Sequence, residues 1–194
     1  MQPERIAIAE KFGAELHRLA NDIDILSTQK NRAAAACFCI AQDHHAAIVF
    51  LMKNTFYSSS FALLRVLFDS YLRGLWLKYC ATDTEVSGYF DGDEPPKQMV
   101  SLIESVEAFK SGSLSSIKKK YWKTMCAYTH TVGLHLQHWQ SKDGVEPTFS
   151  LDELEEYLNC AELFGAFAGL ELVQLSKSGA DGYDVLRLIQ SRWS

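Results

Sequence analysis

Apolar residues recur along this chain at the three- and four-residue spacings of one helical face, with no sustained two-residue alternation that would mark strands. From about 3 to 24, Ile6, Phe12, Leu16, Leu19 and Ile23 fall near one face, and Glu4, Glu10, Lys11 and Arg18 fall largely elsewhere, which predicts an amphipathic outer helix. The segment 28–53 is rich in alanine and ends in an apolar stretch, so it reads as a second helix able to pack closely. The third, 58–80, opens with a serine cluster suited to N-capping and is then apolar on every side, the pattern of a helix at the centre of a bundle. Thr82-Asp-Thr-Glu85 has capping-box spacing and predicts a short helix to about 90. Asp91-Gly-Asp-Glu-Pro-Pro96 reads as a turn whose prolines suit the first turn of a helix over 97–109. After the break Ser111-Gly-Ser-Leu-Ser115 comes a long helical segment, 116–140, able to bend at Gly133, and then a loop over 141–149. A second capping box, Ser150-Leu-Asp-Glu153, opens a helix to about 176, and Gly179-Ala-Asp-Gly182 separates it from a C-terminal helix. The expectation is an all-α protein, a single helical bundle of seven or eight helices forming one domain over 1–194.

Composition narrows this picture only a little. With 194 residues, 47% of them hydrophobic, the chain can bury a sizeable core. Its formal charge of −5 argues against coating nucleic acid through bulk positive charge, while leaving local basic patches open. Five cysteines, an odd number with no Cys-x-x-Cys pair, read as reduced core residues of a cytoplasmic protein. The N-terminus shows no signal-peptide pattern, and uncharged runs such as 33–42 fall short of the roughly 20 residues of a membrane span.

Candidate chemistry begins where polar residues interrupt apolar helices. Arg65, Asp69 and Arg73 on the third helix are spaced i, i+4 and i+8 and share a sector of about 80°. Charges on such a helix must be internally satisfied or open into a polar cavity. Either Asp69 bridges both arginines and fixes the register of the bundle, or the two guanidinium groups leave net positive charge for a phosphate or carboxylate. Gly74, away from this ladder, would let a neighbouring helix approach closely. The second interruption is Tyr128-Thr-His-Thr-Val-Gly133, where Tyr128, Thr129 and His130 cluster on the long predicted helix. His130 is either an interior hydrogen-bond hub or a general acid or base; facing the ladder, it would combine proton transfer with anion binding, the equipment for cleaving RNA without metal.

Other groupings rank lower. His44 and His45 point about 100° apart on a helix, and a metal site from His44, His130 and His135 would lack the paired carboxylates of bundle-core metal proteins. Lys118-Lys-Lys120 with Lys123, next to Tyr121 and Trp122, reads as a solvated face or as a hold on nucleic-acid backbone. The chain has no glycine-rich phosphate loop, Rossmann fingerprint or zinc-finger spacing, so nucleotide-driven and dinucleotide-dependent enzymes are not expected.

The stretch Ala62 to Trp76, with Arg65, Asp69, Arg73, Gly74 and Trp76, and the segment Tyr128, Thr129 and His130 resemble two motifs of a group of bacterial helical proteins of unknown function. In that group an Arg-x-x-x-Glu/Asp-x-x-x-Arg-Gly-x-Trp helix is paired with a downstream Tyr-Thr-His segment. Such proteins are discussed as distant relatives of HEPN (higher eukaryote and prokaryote nucleotide-binding) and abortive-infection domains, many of them dimeric, metal-independent ribonucleases or toxins. The resemblance implies a homo-oligomer such as a dimer, RNA or a nucleotide as ligand, and no metal, cofactor or membrane; a partner antitoxin is not legible in the chain. The HEPN hallmark, Arg followed shortly by His on one helix, is absent. HEPN-like chemistry would therefore join Arg65 or Arg73 to His130 from another helix, with Asp69 orienting the arginines and Tyr128 and Thr129 contacting the ligand. The alternative is a non-catalytic ligand-sensing or interaction bundle in which the same cluster is structural.

Overall fold

The computed structural model describes residues 1–92, 97–110, 112–177 and 182–193. Nine helices lie among them: α1 (Pro3–Ala20), α2 (Gln29–Lys53), α3 (Tyr57–Tyr79), α4 (Asp83–Asp91), α5 (Met99–Phe109), α6 (Leu114–Thr129), α7 (Gly133–Gln137), α8 (Leu151–Val173) and α9 (Gly182–Trp193). They pack as one all-α bundle in which α3 touches α2, α5, α6 and α8. The one β pairing among the described residues is an isolated bridge between Ile25 and Ser176.

Most helices start where local signals place them. Thr82 caps α4 and Ser150 caps α8, each in a complete capping box with Glu85 and Glu153. The serine cluster of α3 behaves differently from expectation. Thr55 turns left-handed at φ 63 and the Phe56 N–H bonds back to Leu51 O, a Schellman closure that feeds the chain straight into α3. The helix therefore starts at Tyr57 with no side-chain cap, and the serines fall inside its first turn. Ser60 is fully buried there, its hydroxyl donating to Ile48 O and its carbonyl accepting from the Tyr157 hydroxyl. α5 starts at Met99 rather than 97; Pro95 and Pro96, Ser111 and most of the 179–182 break lie outside the described residues.

The centre is built from close contacts between small and aromatic residues. A Cβ on Gly74 would stand 2.4 Å from the Phe38 ring of α2, so the glycine is the seat of that ring. Gly165 does the same for His45, whose ring lies 2.6 Å from where its Cβ would be. α2 is the one helix among the described residues long and apolar enough to cross a membrane, a length the count of uncharged runs missed because Asp43 interrupts it; 44% of its apolar window is buried in the bundle. The five cysteines are free thiols, but the expectation that they sit in the core holds fully only for Cys37, since Cys39 is exposed on α2.

Two carboxylates are buried on α8. Glu162, fully buried, accepts from Arg5 of α1 at 2.6 Å and from Arg192 of α9 at 2.8 Å, so both ends of the chain are tied to α8 through one anion. Glu171 is 3% exposed and accepts from Lys78 at 2.7 Å and from the Tyr79 hydroxyl at 2.6 Å, with Lys110 on its second oxygen.

Replacing Glu162 by Ala removes the anion that two guanidinium groups share, leaving Arg5 with Asn159 at 2.9 Å and Glu155 at 4.0 Å and Arg192 with no other carboxylate among the described residues, and a loss of about 3–5 kcal/mol is expected in urea unfolding. His45 adds a pH dependence: burial pushes its imidazole down to about 4 from the usual 6.5, although Glu162 pulls the other way. Between pH 6.5 and 4 the unfolded chain takes up a proton there that the folded chain refuses. Its contribution is therefore complete above about pH 6.5 and is lost, by about 3 kcal/mol, as the pH falls to about 4. Urea midpoints measured from pH 7 to 4 should fall less steeply for His45→Gln than for the parent; equal slopes would contradict this assignment.

Candidate functional site

The long helix expected over 116–140 is two helices, and the break falls at the predicted site. α6 ends at Thr129, His130 is its C-cap, and Thr131 turns left-handed at φ 50. The Val132 N–H then bonds to Ala127 O at 3.1 Å, closing a Schellman motif. A β-branched residue is disfavoured in this conformation, so the turn that presents His130 is held by its surroundings rather than by local preference. Gly133, the expected bend, instead opens the five-residue α7.

This turn brings His130 to the ladder. Arg65 Nη1 donates to His130 Nε2 at 2.6 Å, and the guanidinium also lies 5.1 Å from the centre of the Trp122 ring of α6. A guanidinium can only donate, so the imidazole in this arrangement offers a lone pair at Nε2 and carries its proton on Nδ1. His130 is exposed and Arg65 half-buried. No carboxylate lies within ion-pair distance of Arg65 among the described residues.

The expectation that Asp69 orients both arginines is not met. Asp69 accepts from Arg73 Nε at 2.9 Å and makes no ion pair with Arg65. The preferred rotamers of a helix explain the choice, since an acid N-terminal to its base at i, i+4 pairs well. Arg73 stands two turns, about 12 Å, from Arg65 along the helix. Its neighbours are Tyr89 of α4 and Cys37 of α2, whose thiol is pushed up to about 11 by burial, with Arg73 acting in the opposite direction. The ladder is thus divided into a closed Asp69–Arg73 pair and an open Arg65–His130 pair.

Tyr128 and Thr129 do not join the open pair as ligand-binding groups. Tyr128 is buried against Phe61, with ring centres 4.6 Å apart, and stacks near His138. Burial pushes its hydroxyl up to about 12, which suits it to donate and not to act as a base. The Thr129 hydroxyl is within hydrogen-bond reach of Met125 O at 2.9 Å and Ala62 O at 3.3 Å, and so fastens the end of α6 to α3. Tyr128 instead lines a cleft of about 340 Å³ with Phe61, Met125 and Tyr157, rimmed by Lys120 and Glu156.

Among the histidines, His135 is buried with Nδ1 unpartnered, and His138 Nε2 lies 3.3 Å from Glu153. No three His, Cys, Asp or Glu side chains among the described residues come together as a metal-holding group. The residue that sequence reasoning ranked too low is Trp122, which forms the wall against which Arg65 is held. Its signal is its place on α6 one turn below Cys126 and two turns below His130, next to Lys119 and Lys123.

No curated protein and no solved structure matches the chain. A family model does, over residues 38–191, a span that contains Arg65, Asp69, Arg73, Trp122 and His130 and leaves out α1. On that match the chain belongs to the DUF6988 family, a family of unknown function.

Proposed function

We propose that Arg65 and His130 form an anion site for phosphate, that its ligand is RNA or a nucleotide, and that the pair cleaves RNA without metal in an HEPN-like defence or toxin-type role. The observation that carries this is the Arg65–His130 contact itself: an arginine with no carboxylate partner among the described residues, held on an indole and touching an exposed imidazole. A phosphate entering there replaces His130 as the acceptor for the guanidinium, gaining a bidentate partner and freeing the Nε2 lone pair. His130 Nε2 then takes the proton of the adjacent 2′-hydroxyl as that oxygen bonds to phosphorus. The bond from phosphorus to the 5′-oxygen breaks, and the departing oxygen takes its proton from water, leaving a cyclic phosphate end. Arg65 stabilises the charge that grows on the non-bridging oxygens. In this scheme Arg73 has no catalytic part, because Asp69 already neutralises it.

One observation favours a second reading, a non-catalytic ligand-sensing or interaction bundle. The Arg65–His130 and Thr129–Ala62 contacts together latch the end of α6 onto α3, which is a structural service in itself.

Cleavage of total RNA by the purified protein, with and without EDTA, separates the two. Arg65→Ala and His130→Ala are each expected to lower cleavage at least a hundredfold while retaining the helical circular dichroism of the parent. Absence of EDTA-resistant cleavage, or cleavage that survives both substitutions, would leave the latch as the role of the pair.

A further inference from the structure

The N-terminal part of α6 forms, with α5, a groove of about 340 Å³ lined by Lys118, Lys119, Lys123, Trp122, Ile103 and Glu104. Glu104 is the one acidic residue on its walls. None of the three lysines makes an ion pair among the described residues, although the protein carries net negative charge. By contrast Lys120, on another side of the same helix, is engaged by Glu156 and the Tyr121 hydroxyl. At about 100° per residue, Lys119, Lys123, Cys126 and His130 fall on a single stripe of α6. That stripe leads from the groove to the Arg65–His130 pair over about 16 Å. Trp122 belongs to both, since Arg65 stacks on its ring and the same side chain forms part of the groove wall.

We infer that α6 is a track for single-stranded RNA, with Lys118, Lys119 and Lys123 holding backbone phosphates next to the one bound by Arg65. This rests on the reading of the Arg65–His130 pair as a phosphate site and adds the class of its ligand. A single nucleotide is too short to reach both ends of the stripe, whereas a strand of a few nucleotides spans it. Cationic groups in line beside an aromatic side chain are the combination that holds single strands, whose bases are free to meet a ring. In a duplex those bases are paired and stacked away, so the track should prefer the unpaired strand.

The test is fluorescence anisotropy with a labelled twelve-nucleotide RNA protected by 2′-O-methyl groups, the same RNA as a duplex, and a glutamate-rich peptide of equal charge. Three proteins are compared: the parent, a variant with Lys118, Lys119 and Lys123 all changed to Gln, and one with all three changed to Arg. The Gln variant should bind the single strand at least tenfold more weakly, and the slope of log affinity against log salt should become shallower by about 2, since each phosphate contact on a single strand contributes about 0.7. The Arg variant should restore both. Unchanged affinity and slope in the Gln variant, or tighter binding of the duplex or of the peptide, would overturn the proposal. Arg65→Ala, titrated in parallel, keeps the two readings apart. Loss in the lysine variant with none in Arg65→Ala would leave the track standing and remove the phosphate site, and the converse would do the reverse.

Discussion

α3 is packed against α2, α5, α6 and α8, and a helix enclosed in this way has little solvent onto which to open a charge. The placing of its charged side chains therefore constrains everything around them. Asp69 and Arg73 solve the problem locally, by pairing along the helix. Lys78 is neutralised by Glu171 of α8. Arg65 has neither solution, and the end of α6 is arranged to accommodate it: the Trp122 ring covers the guanidinium, and a left-handed Thr131 stops the helix where His130 can accept its hydrogen bond. An arginine satisfied by a neutral ring and an indole keeps its full charge. That retained charge sets Arg65 apart from the internal staples and is what the proposed phosphate site draws on.

The buried anions of α8 show the contrast. Glu162 is surrounded by cations from α1 and α9, and Glu171 by Lys78, Lys110 and the Tyr79 hydroxyl. Each carboxylate has more than one donor, so both are closed, and their service is to hold elements together. Arg5 and Arg192, two of those donors, lie outside the stretch matched by the family model, so the Glu162 staple joins the ends of this chain to the part it shares with its family.

The capping boxes hold, while the serine cluster before α3 does not cap it. Both capping boxes stand where their spacing puts them, because such a box depends only on residues three apart. The end of α6 was misplaced because its stop is a threonine in a conformation usually taken by glycine, and nothing local announces it; Gly133, which does look like a stop, starts the next helix. That His130 meets Arg65 and not Arg73 depends on which turn of α3 lies beside α6, a matter of packing between residues 65 positions apart. Glu162 and Glu171 are legible by the same signal. Each stands in an apolar run of α8, Glu162 between Ala161 and Leu163 and Glu171 between Leu170 and Leu172, and the argument that exposed the ladder of α3 applies to both. The lysine and tryptophan face reads as a charge run, and its continuity with His130 is legible in the spacing along one predicted helix; what the structure adds is that this stripe ends at the contact with Arg65.

The central claim is that Arg65 holds His130 through Nε2 and exchanges it for phosphate. A long-range proton–nitrogen spectrum of histidine-labelled protein at pH 8, with His130 assigned through His130→Gln, tests it most directly. The account predicts an Nδ1-protonated His130 whose tautomer balance changes in Arg65→Ala, and whose Nε2 resonance moves saturably as 2′-O-methyl RNA is added. A His130 spectrum indifferent to both the substitution and the RNA would contradict it.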